Sequence, residues 1–209
     1  MAKDYLSIRI ETDDFDASDL QLHRLSGREA ISELFQFRLE VVKKGDALAL
    51  DDVVGCTIAI VYERAEHEVR RVFGMIAAAE DHDATEDDHF SYTFTDVPRA
   101  HRMTLVETLE IYMDMTVPEI IEKKLSLVDL GAKGIDYELR LSASYPKREF
   151  VVQYRETDMN FVARLTEHLG ISYFFEHHDG KDRMIFTDSA AGFHDIVGDD
   201  PQVGFHRRG

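Results

Sequence analysis

The chain has 209 residues, 44% hydrophobic and 31% charged, a balance typical of a globular protein with one large or two small domains. Its net charge of −17, from 41 acidic and 24 basic side chains, argues against binding nucleic acid or an anionic membrane surface. No apolar run is long enough for a membrane helix, and no signal-peptide pattern opens the chain, so we expect synthesis in the cytoplasm without export by general secretion.

Short alternating strands follow one another through the first half of the chain. Apolar and polar residues alternate in 5–10, 35–41, 57–62, 69–79 and 90–94, with turn residues between these segments. Leucines at 20, 22 and 25 lead into residues 26–35, which are expected to form a turn with a helical kink, and 81–89 are expected to form an acidic loop. Gly74 interrupts a strand, which predicts a bulge or a close backbone approach. The even spacing indicates a small antiparallel β-barrel or sandwich.

The pattern changes after Pro98. Residues 116–119, Thr-Val-Pro-Glu, form a capping box that predicts a helix ending near Gly131, and a strand follows at 137–141. We therefore predict an α+β, mainly β chain: a β-barrel-like domain at 1–100, an α+β domain at 101–190, and a tail at 191–209. No linker composition separates the two domains, so we expect them to pack together. The lone Cys56 precedes an apolar run and is expected to be a buried, structural residue without a disulfide.

A strand–helix–strand–strand unit occupies residues 149–186. Phe150, Val152 and Tyr154 alternate with polar residues, which predicts a strand with this apolar face buried. Thr157 and Asp158 offer N-cap oxygens to a helix with an apolar stripe. A glycine then ends this helix, and a hairpin turn at 178–181 joins two further strands.

Two histidine-containing segments are the candidates for chemistry. His82 and His89 flank an acidic stretch and could bind a divalent metal. Residues 177–179, His-His-Asp, occupy a hairpin tip and could chelate a metal or supply a general base. Their spacing fits no established ligand pattern, and polar turns of this composition are usually only solvated. Residues 131–134, with two glycines and a lysine, follow a helix, so they are not a phosphate-binding loop. We predict no catalytic residue, no metal and no cofactor; a small metal-dependent hydrolase using the His/Asp loops remains an alternative.

A longer pattern gives a resemblance. Residues 153–177, with the run Gln-Tyr-x-Glu-Thr-Asp-x-Asn-Phe-x-x-Arg-Leu, resemble the hub region of VgrG, the spike protein family of the bacterial type VI secretion system, related to baseplate hubs of contractile-tailed phages. Segments 24–37, 50–60, 71–74, 92–98 and 115–121 are similar to further family segments in the same order. The motif positions, to which we assign a structural role, are Gly27, Glu29, Ser32, Phe35, Gly74, Pro98, Gln153, Tyr154, Glu156, Asp158, Phe161, Arg164, Leu165, Gly170 and Tyr173. Residues 99–105 match the family poorly, and nothing after about residue 195 is recognisable.

The resemblance implies a structural, non-enzymatic function. Three chains would assemble into a pseudo-sixfold ring that caps a hexameric Hcp-type tube and carries a needle and effectors. The implied partners are a homotrimer with itself, an Hcp-like tube protein, baseplate components and effector proteins, with no nucleic acid and no membrane insertion. Assembly would take place in the cytoplasm, with later export by the machine. A phage tail baseplate hub protein of the same fold stays open as an alternative. The resemblance also leaves open whether the chain is the front of a longer spike or a short stand-alone relative.

Overall fold

The computed structural model of the chain describes residues 6–17, 19–86 and 89–194, with the side chains of 83–86 excepted. The strands are β1 Leu6–Glu11, β2 Leu20–Arg28, β3 Gln36–Lys44, β4 Thr57–Arg64, β5 His67–Glu86, β6 His89–Val97, β7 Glu107–Met115, β8 Tyr137–Arg140, β9 Arg148–Thr157, β10 Ser172–His178 and β11 Lys181–Thr187. The α-helices are α1 Leu50–Val53, α2 Val117–Ser126 and α3 Asp158–Leu169, and two short 3-10 helices span Arg99–Thr104 and Ala190–Gly192.

The first six strands form one antiparallel sheet in the order β1-β4-β5-β6-β3-β2. The sheet curls until its two edge strands, β1 and β2, approach each other. Leu39, Ile60 and Phe94 are 0% exposed at the centre of the enclosed core. Ile8 and Leu22, from the two edge strands, pack against that core. The predicted barrel-like half is therefore confirmed.

Gly74 lies where two strands approach closely. A Cβ added there would lie 2.2 Å from Oδ1 of Asp96 and 2.8 Å from the carbonyl oxygen of Val97 on β6. Only a residue without a side chain fits this space, so the predicted close approach is confirmed. The bulge lies nearby, between Ile76 and Ala78, where the β5–β6 register shifts.

The second half combines two small sheets with two helices. Strands β7 and β9 form an antiparallel ribbon, and β8, β10 and β11 form a sheet in the order β10-β11-β8, in which β8 and β11 are parallel. Ile120 and Leu125 of α2 and Phe161 of α3 are 0% exposed in a core shared with these strands. The predicted α+β, mainly β fold class is confirmed.

Capping residues set the ends of both long helices. The hydroxyl of Thr116 accepts from the N–H of Glu119, whose carboxylate accepts from the N–H of Thr116, so the predicted capping box is present at α2. Thr157 caps α3 through the N–H of Asn160. Gly170 ends α3 in the left-handed conformation, with φ 68°.

Several local predictions are wrong. Residues 26–28 belong to β2, where a kinked turn was expected, and residues 81–86 and 89 extend the β5–β6 hairpin, where a loop was expected. Charged residues are tolerated because such a hairpin can face water along one side. Residues 107–115 form β7, which the sequence did not indicate. Cys56 is only partly buried, and its Sγ lies 3.0 Å from the carbonyl oxygen of Asp52.

Two hydrophobic clusters divide the described core. One draws on residues 35–94 and the other on residues 100–186, and Phe175 contacts the first cluster as well as the second. The domain boundaries of 1–100 and 101–190 stay a prediction. In the part of the chain that the structure describes, every helix is too short or too polar to cross a membrane.

Candidate functional site

A buried ion-pair network joins the barrel to the α+β half. Arg99 follows β6 directly, and its Nε and Nη1 donate to Asp182 at 2.6 Å and to Asp136 at 2.8 Å. Its backbone N–H also donates to Asp182, at 2.9 Å. The three side chains are only 11%, 4% and 7% exposed, for Arg99, Asp182 and Asp136 respectively. This network fixes the direction in which the chain leaves the barrel.

Asp96 lies beside this network, and no cation pairs with it among the described residues. Its side chain is 0% exposed, and neither carboxyl oxygen has a hydrogen-bond partner among the described residues. Burial, together with the negative charge of Asp182, raises the pKa of Asp96 well above its ordinary value. The site therefore favours a neutral Asp96.

His177 is a half-buried titratable group at the contact between the two halves. Its Nδ1 accepts from the backbone N–H of Phe73 at 3.1 Å, and its ring lies 5.6 Å from that of Phe35, centroid to centroid. Burial, with smaller contributions from Arg70 and His178, lowers the pKa of His177 to about 4. The expected polar hairpin tip is correct for His178, which is exposed, but wrong for His177, which is neutral and packed against the barrel.

The histidine-containing segments form no metal centre in the described residues. Nε2 of His82 lies 2.8 Å from Oγ1 of Thr93, on the neighbouring strand. Asp87 and Asp88, proposed above as part of an acidic loop, lie outside the described residues. Across 6–17, 19–86 and 89–194, no group of three or more histidine, cysteine, aspartate or glutamate side chains is arranged to hold a metal ion.

Motif residues at the start of α3 form a buried polar network. Oδ1 of Asp158 accepts from Nζ of Lys124 at 2.8 Å, from Nε2 of Gln153 at 2.9 Å and from Oγ1 of Thr108 at 3.2 Å. Lys124 is 0% exposed, and its Nζ also lies 3.2 Å from Glu110. Burial opposes the charge on Lys124, but these hydrogen bonds outweigh it and raise the pKa of the ammonium group. The network ties α2 and α3 to the β7–β9 ribbon; Lys124 was not singled out from the sequence.

Motif residues from distant parts of the chain also meet between the two halves. The backbone N–H of Ser32, a residue with φ 59°, donates to the carbonyl oxygen of Tyr173 at 2.7 Å. The ring of Phe35 packs edge-on against Phe175, with centroids 5.2 Å apart. Within the barrel, a Cβ on Gly27 would lie 2.2 Å from the ring of Phe37 on the neighbouring strand.

The remaining motif residues have local structural contacts. Glu29 pairs with Arg70, Glu156 pairs with Arg164, Pro98 precedes the 3-10 helix, Phe161 and Leu165 are buried in α3, and Gly170 ends that helix. Tyr154 differs from these, because its side chain is 62% exposed.

Tyr154 belongs to an exposed apolar surface, which we call the ribbon face. It consists of Leu109, Ile111 and Met113 of β7 and Phe150, Val152 and Tyr154 of β9. In the register, Leu109 is opposite Tyr154, Ile111 is opposite Val152, and Met113 is opposite Phe150. All but Val152 are between 59% and 65% exposed.

The ribbon face overturns the prediction that Phe150, Val152 and Tyr154 form the buried side of their strand. The buried side is formed by Val151, 7% exposed, and Gln153, 0% exposed, which face the helices. The inner side of the ribbon is thus partly polar, because Gln153 donates a hydrogen bond to Asp158. The outer side is apolar and open to water.

The fold and the family match define a class of protein, the hubs of phage-tail-like machines. Residues 28–209 match the family described as Phage tail baseplate hub (GPD), and the chain belongs to this family.

Individual relatives narrow the comparison. The chain is 36% identical over 179 residues to the type VI secretion system spike protein VgrG1c of Pseudomonas aeruginosa, covering 86% of this chain and 24% of that protein. It is 28% identical over 194 residues to the actin cross-linking toxin VgrG1 of Vibrio cholerae, covering 88% of this chain and 17% of the toxin. The chain thus spans about a quarter or less of these relatives.

A solved structure agrees with the sequence matches. The E. coli c3393 protein, a type VI secretion component described as similar to the T4 bacteriophage tail proteins gp27 and gp5, superposes with a TM-score of 0.80 at 27% identity. The superposition covers 89% of this chain and 50% of c3393.

Proposed function

We propose that this chain is a structural, non-catalytic hub component of a contractile injection machine of the type VI secretion kind. The observation that carries the proposal is the superposition of 89% of the chain on a type VI secretion component. The contacts of five motif positions support it: Gln153 and Asp158 hold α3 to the ribbon, and Ser32, Phe35 and Tyr173 join the two halves. Their function would be to fix the shape of the hub.

The proposed partners follow from the same family. Three copies would form a ring on the end of an Hcp-like tube, in contact with baseplate components and carrying effector proteins. The complex would assemble in the cytoplasm and leave the cell through the machine. The net charge of −17 suits contacts with basic surfaces of these partners.

Loss of the gene tests the proposal in the source bacterium. We expect the Hcp-like tube protein to disappear from the culture medium while its amount inside the cells stays the same, with recovery on complementation. Unchanged release of the tube protein would contradict a secretion hub. Loss of phage particles after induction, with normal release of the tube protein, would favour the phage tail hub that the family description also covers.

An enzymatic alternative can be tested in the same strain. His82 contacts Thr93 within the barrel, and His178 is exposed, so both can be replaced without disturbing the contact between the two halves. Replacing both with asparagine should leave tube-protein release at the level of the complemented strain. A loss of release without loss of folded protein would argue for a chemical function of these side chains.

A further inference from the structure

We propose that His177 is an acid-operated latch. At neutral pH it fastens the β10 side of the β10–β11 hairpin to the barrel, and a proton on its ring releases that side while Asp182 keeps the β11 side in place. The latch goes beyond the hub function proposed above and does not depend on it. The inference rests on the strand edge that the hairpin covers, the hydrogen bonds of the two side chains and the charges around them.

The hairpin covers a strand edge that the barrel leaves open. Residues 67–74 of β5 pair with β4 on one side, but they lie beyond the end of β6, whose pairing with β5 begins at Val97 opposite Met75. Both β10 and β11 contact β5. The N–H of Phe73, on the open edge, donates to Nδ1 of His177 at 3.1 Å. A side chain thus supplies the acceptor that a neighbouring strand supplies elsewhere in the sheet.

His177 and Asp182 are neighbours across the hairpin. They are directly opposite each other in the β10–β11 register, so both side chains lie on the same face. Asp182 accepts from the backbone N–H of Arg99 at 2.9 Å and from its Nε at 2.6 Å. Arg99 follows the last strand of the barrel. The hairpin is therefore held at two points, by His177 on β10 and by Asp182 on β11.

A second proton on His177 breaks the first of these contacts. Because Nδ1 accepts from Phe73, the neutral ring carries its proton on Nε2, an atom that is buried and has no hydrogen-bond partner among the described residues. The second proton must then go to Nδ1. There it would point at the N–H of Phe73, so two donors would face each other across 3.1 Å. Moving β10 away from the barrel separates the donors and lets water reach the charged ring.

The surroundings of His177 keep the latch closed at neutral pH. Burial is the largest cause that lowers the pKa of His177, to about 4, and the charges of Arg70 and His178 act in the same direction. Glu176 acts against them, but it is already bound to Arg140 through hydrogen bonds of 2.6 and 2.9 Å. The charged and titratable groups around the latch come from four segments: Arg70 on β5, Glu29 before β3 and bound to Arg70, Glu176 and His178 on β10, and Asp182 on β11 and bound to Arg99.

Asp182 responds to acid in the opposite direction. Burial is the largest cause and raises the pKa of Asp182, against the lowering effect of Arg99. A carboxyl that takes up a proton more readily when buried is favoured in its buried position as pH falls. Acid therefore acts against the β10 contact and leaves the β11 contact in place.

Amide hydrogen exchange followed by NMR tests the latch at single residues. With a pKa of about 4 when the hairpin is closed and an ordinary 6.5 when it is open, His177 raises the opening equilibrium by about 20-fold between pH 7 and pH 5. After correction for the intrinsic exchange rates, the protection factor of the Phe73 amide should fall by this factor. The Arg99 amide is the matched control: it should stay more protected than Phe73 at both pH values, because its acceptor is Asp182.

Low urea separates local opening from unfolding of the whole chain. In about 1 M urea the Phe73 amide should exchange at an unchanged rate, because opening the latch exposes little surface. The amide of Leu39, which is 0% exposed at the centre of the barrel, should exchange faster under the same conditions.

Two variants assign the effect to the ring. His177→Gln keeps an acceptor for the N–H of Phe73 but takes up no proton, so the protection factor of Phe73 should change by less than about 3-fold between pH 7 and pH 5. His178→Gln replaces the exposed neighbour and should keep the wild-type change.

Four results would overturn the proposal: an unchanged protection factor of Phe73 in the wild type, equal protection of the Phe73 and Arg99 amides, a urea dependence at Phe73 like that of Leu39, or a wild-type pH dependence in His177→Gln. The first three need no variant, so they do not depend on the folding of one. None of them bears on the release of the tube protein, so the hub function stands or falls separately.

Discussion

Replacing Arg99 with methionine should destabilise the protein strongly, because it leaves two buried carboxylates without their main cation. Removing one partner of a buried ion pair costs about 3–5 kcal/mol. Some compensation remains: Asp136 keeps the N–H of Ala132 at 3.1 Å and Nζ of Lys181 at 3.9 Å. Asp182 keeps the backbone N–H of residue 99 at 2.9 Å. We therefore expect a loss near the lower end, about 3 kcal/mol, which is a large part of the ~5–15 kcal/mol that stabilises a typical domain.

Urea unfolding followed by far-ultraviolet circular dichroism measures this loss, since the chain contains no tryptophan. The matched control is Arg164→Met, which removes an arginine that bonds Glu156 at 2.6 Å but is 52% exposed. A surface pair of this kind contributes about 1 kcal/mol or less. Equal losses for the two variants, or a loss below ~1 kcal/mol for Arg99→Met, would refute the reasoning from burial.

The Arg99→Met deficit should also depend on pH. Burial already raises the pKa of Asp182, and Arg99 opposes that rise. Without Arg99, the pKa of Asp182 rises further, so protonation at pH 5 relieves part of the charge. The deficit should therefore be smaller at pH 5 than at pH 8, and a deficit that grows towards acid pH would contradict this account.

Three further perturbations test other buried groups. The pKa of His177 is about 4 in the folded protein, against an ordinary 6.5, so the unfolded state takes up the proton first as pH falls. The free energy of unfolding in urea should therefore fall by up to about 3 kcal/mol between pH 6.5 and pH 4. His177→Gln should make this free energy less dependent on pH. Asp96 has a raised pKa, so its stabilising neutral form is lost as pH rises; Asp96→Asn should melt at a higher temperature than wild type at pH 8, and a lower one would contradict the assignment. Gly74→Ala should lower the free energy of unfolding in urea by about 1–3 kcal/mol, because its Cβ would lie 2.2 Å from Asp96. Gly45→Ala is the control: a Cβ there meets no atom within 4 Å, but the residue has φ 91°, so this variant measures the cost of backbone strain alone.

The sequence predicted those elements whose signals are local. The alternation at 35–41 became β3, and the capping box at Thr116 and the glycine at 170 mark the ends of real helices. Gly74 was recognised because a glycine inside a strand has few explanations other than a close approach or a bulge. In each case the residues that decide the structure lie within a few positions of one another.

Features that depend on distant residues were not predictable. Arg99 bonds partners 37 and 83 positions away, and the N–H that His177 accepts from lies 104 positions away. Periodicity revealed the apolar face of β9 but did not show which side the helices cover. That side is the one on which Gln153 is buried and hydrogen-bonded to Asp158 of α3. A strand pattern identifies an amphipathic surface, and only the packing of the rest of the chain shows whether it is core or interface.

The position of β11 has a consequence for the order of events during translation. This strand is the last in sequence of the described strands, yet it lies between β10 and β8 and supplies Asp182 to Arg99. The strands of the barrel leave the ribosome before β11, so the barrel can close first. The guanidinium of Arg99 and the carboxylate of Asp136 then stay solvated until β11 arrives. The three-stranded sheet of the α+β half cannot form until residues 181–187 emerge, because β11 is its central strand. Until then the apolar residues of β8 and β10 are unpaired and exposed to other chains.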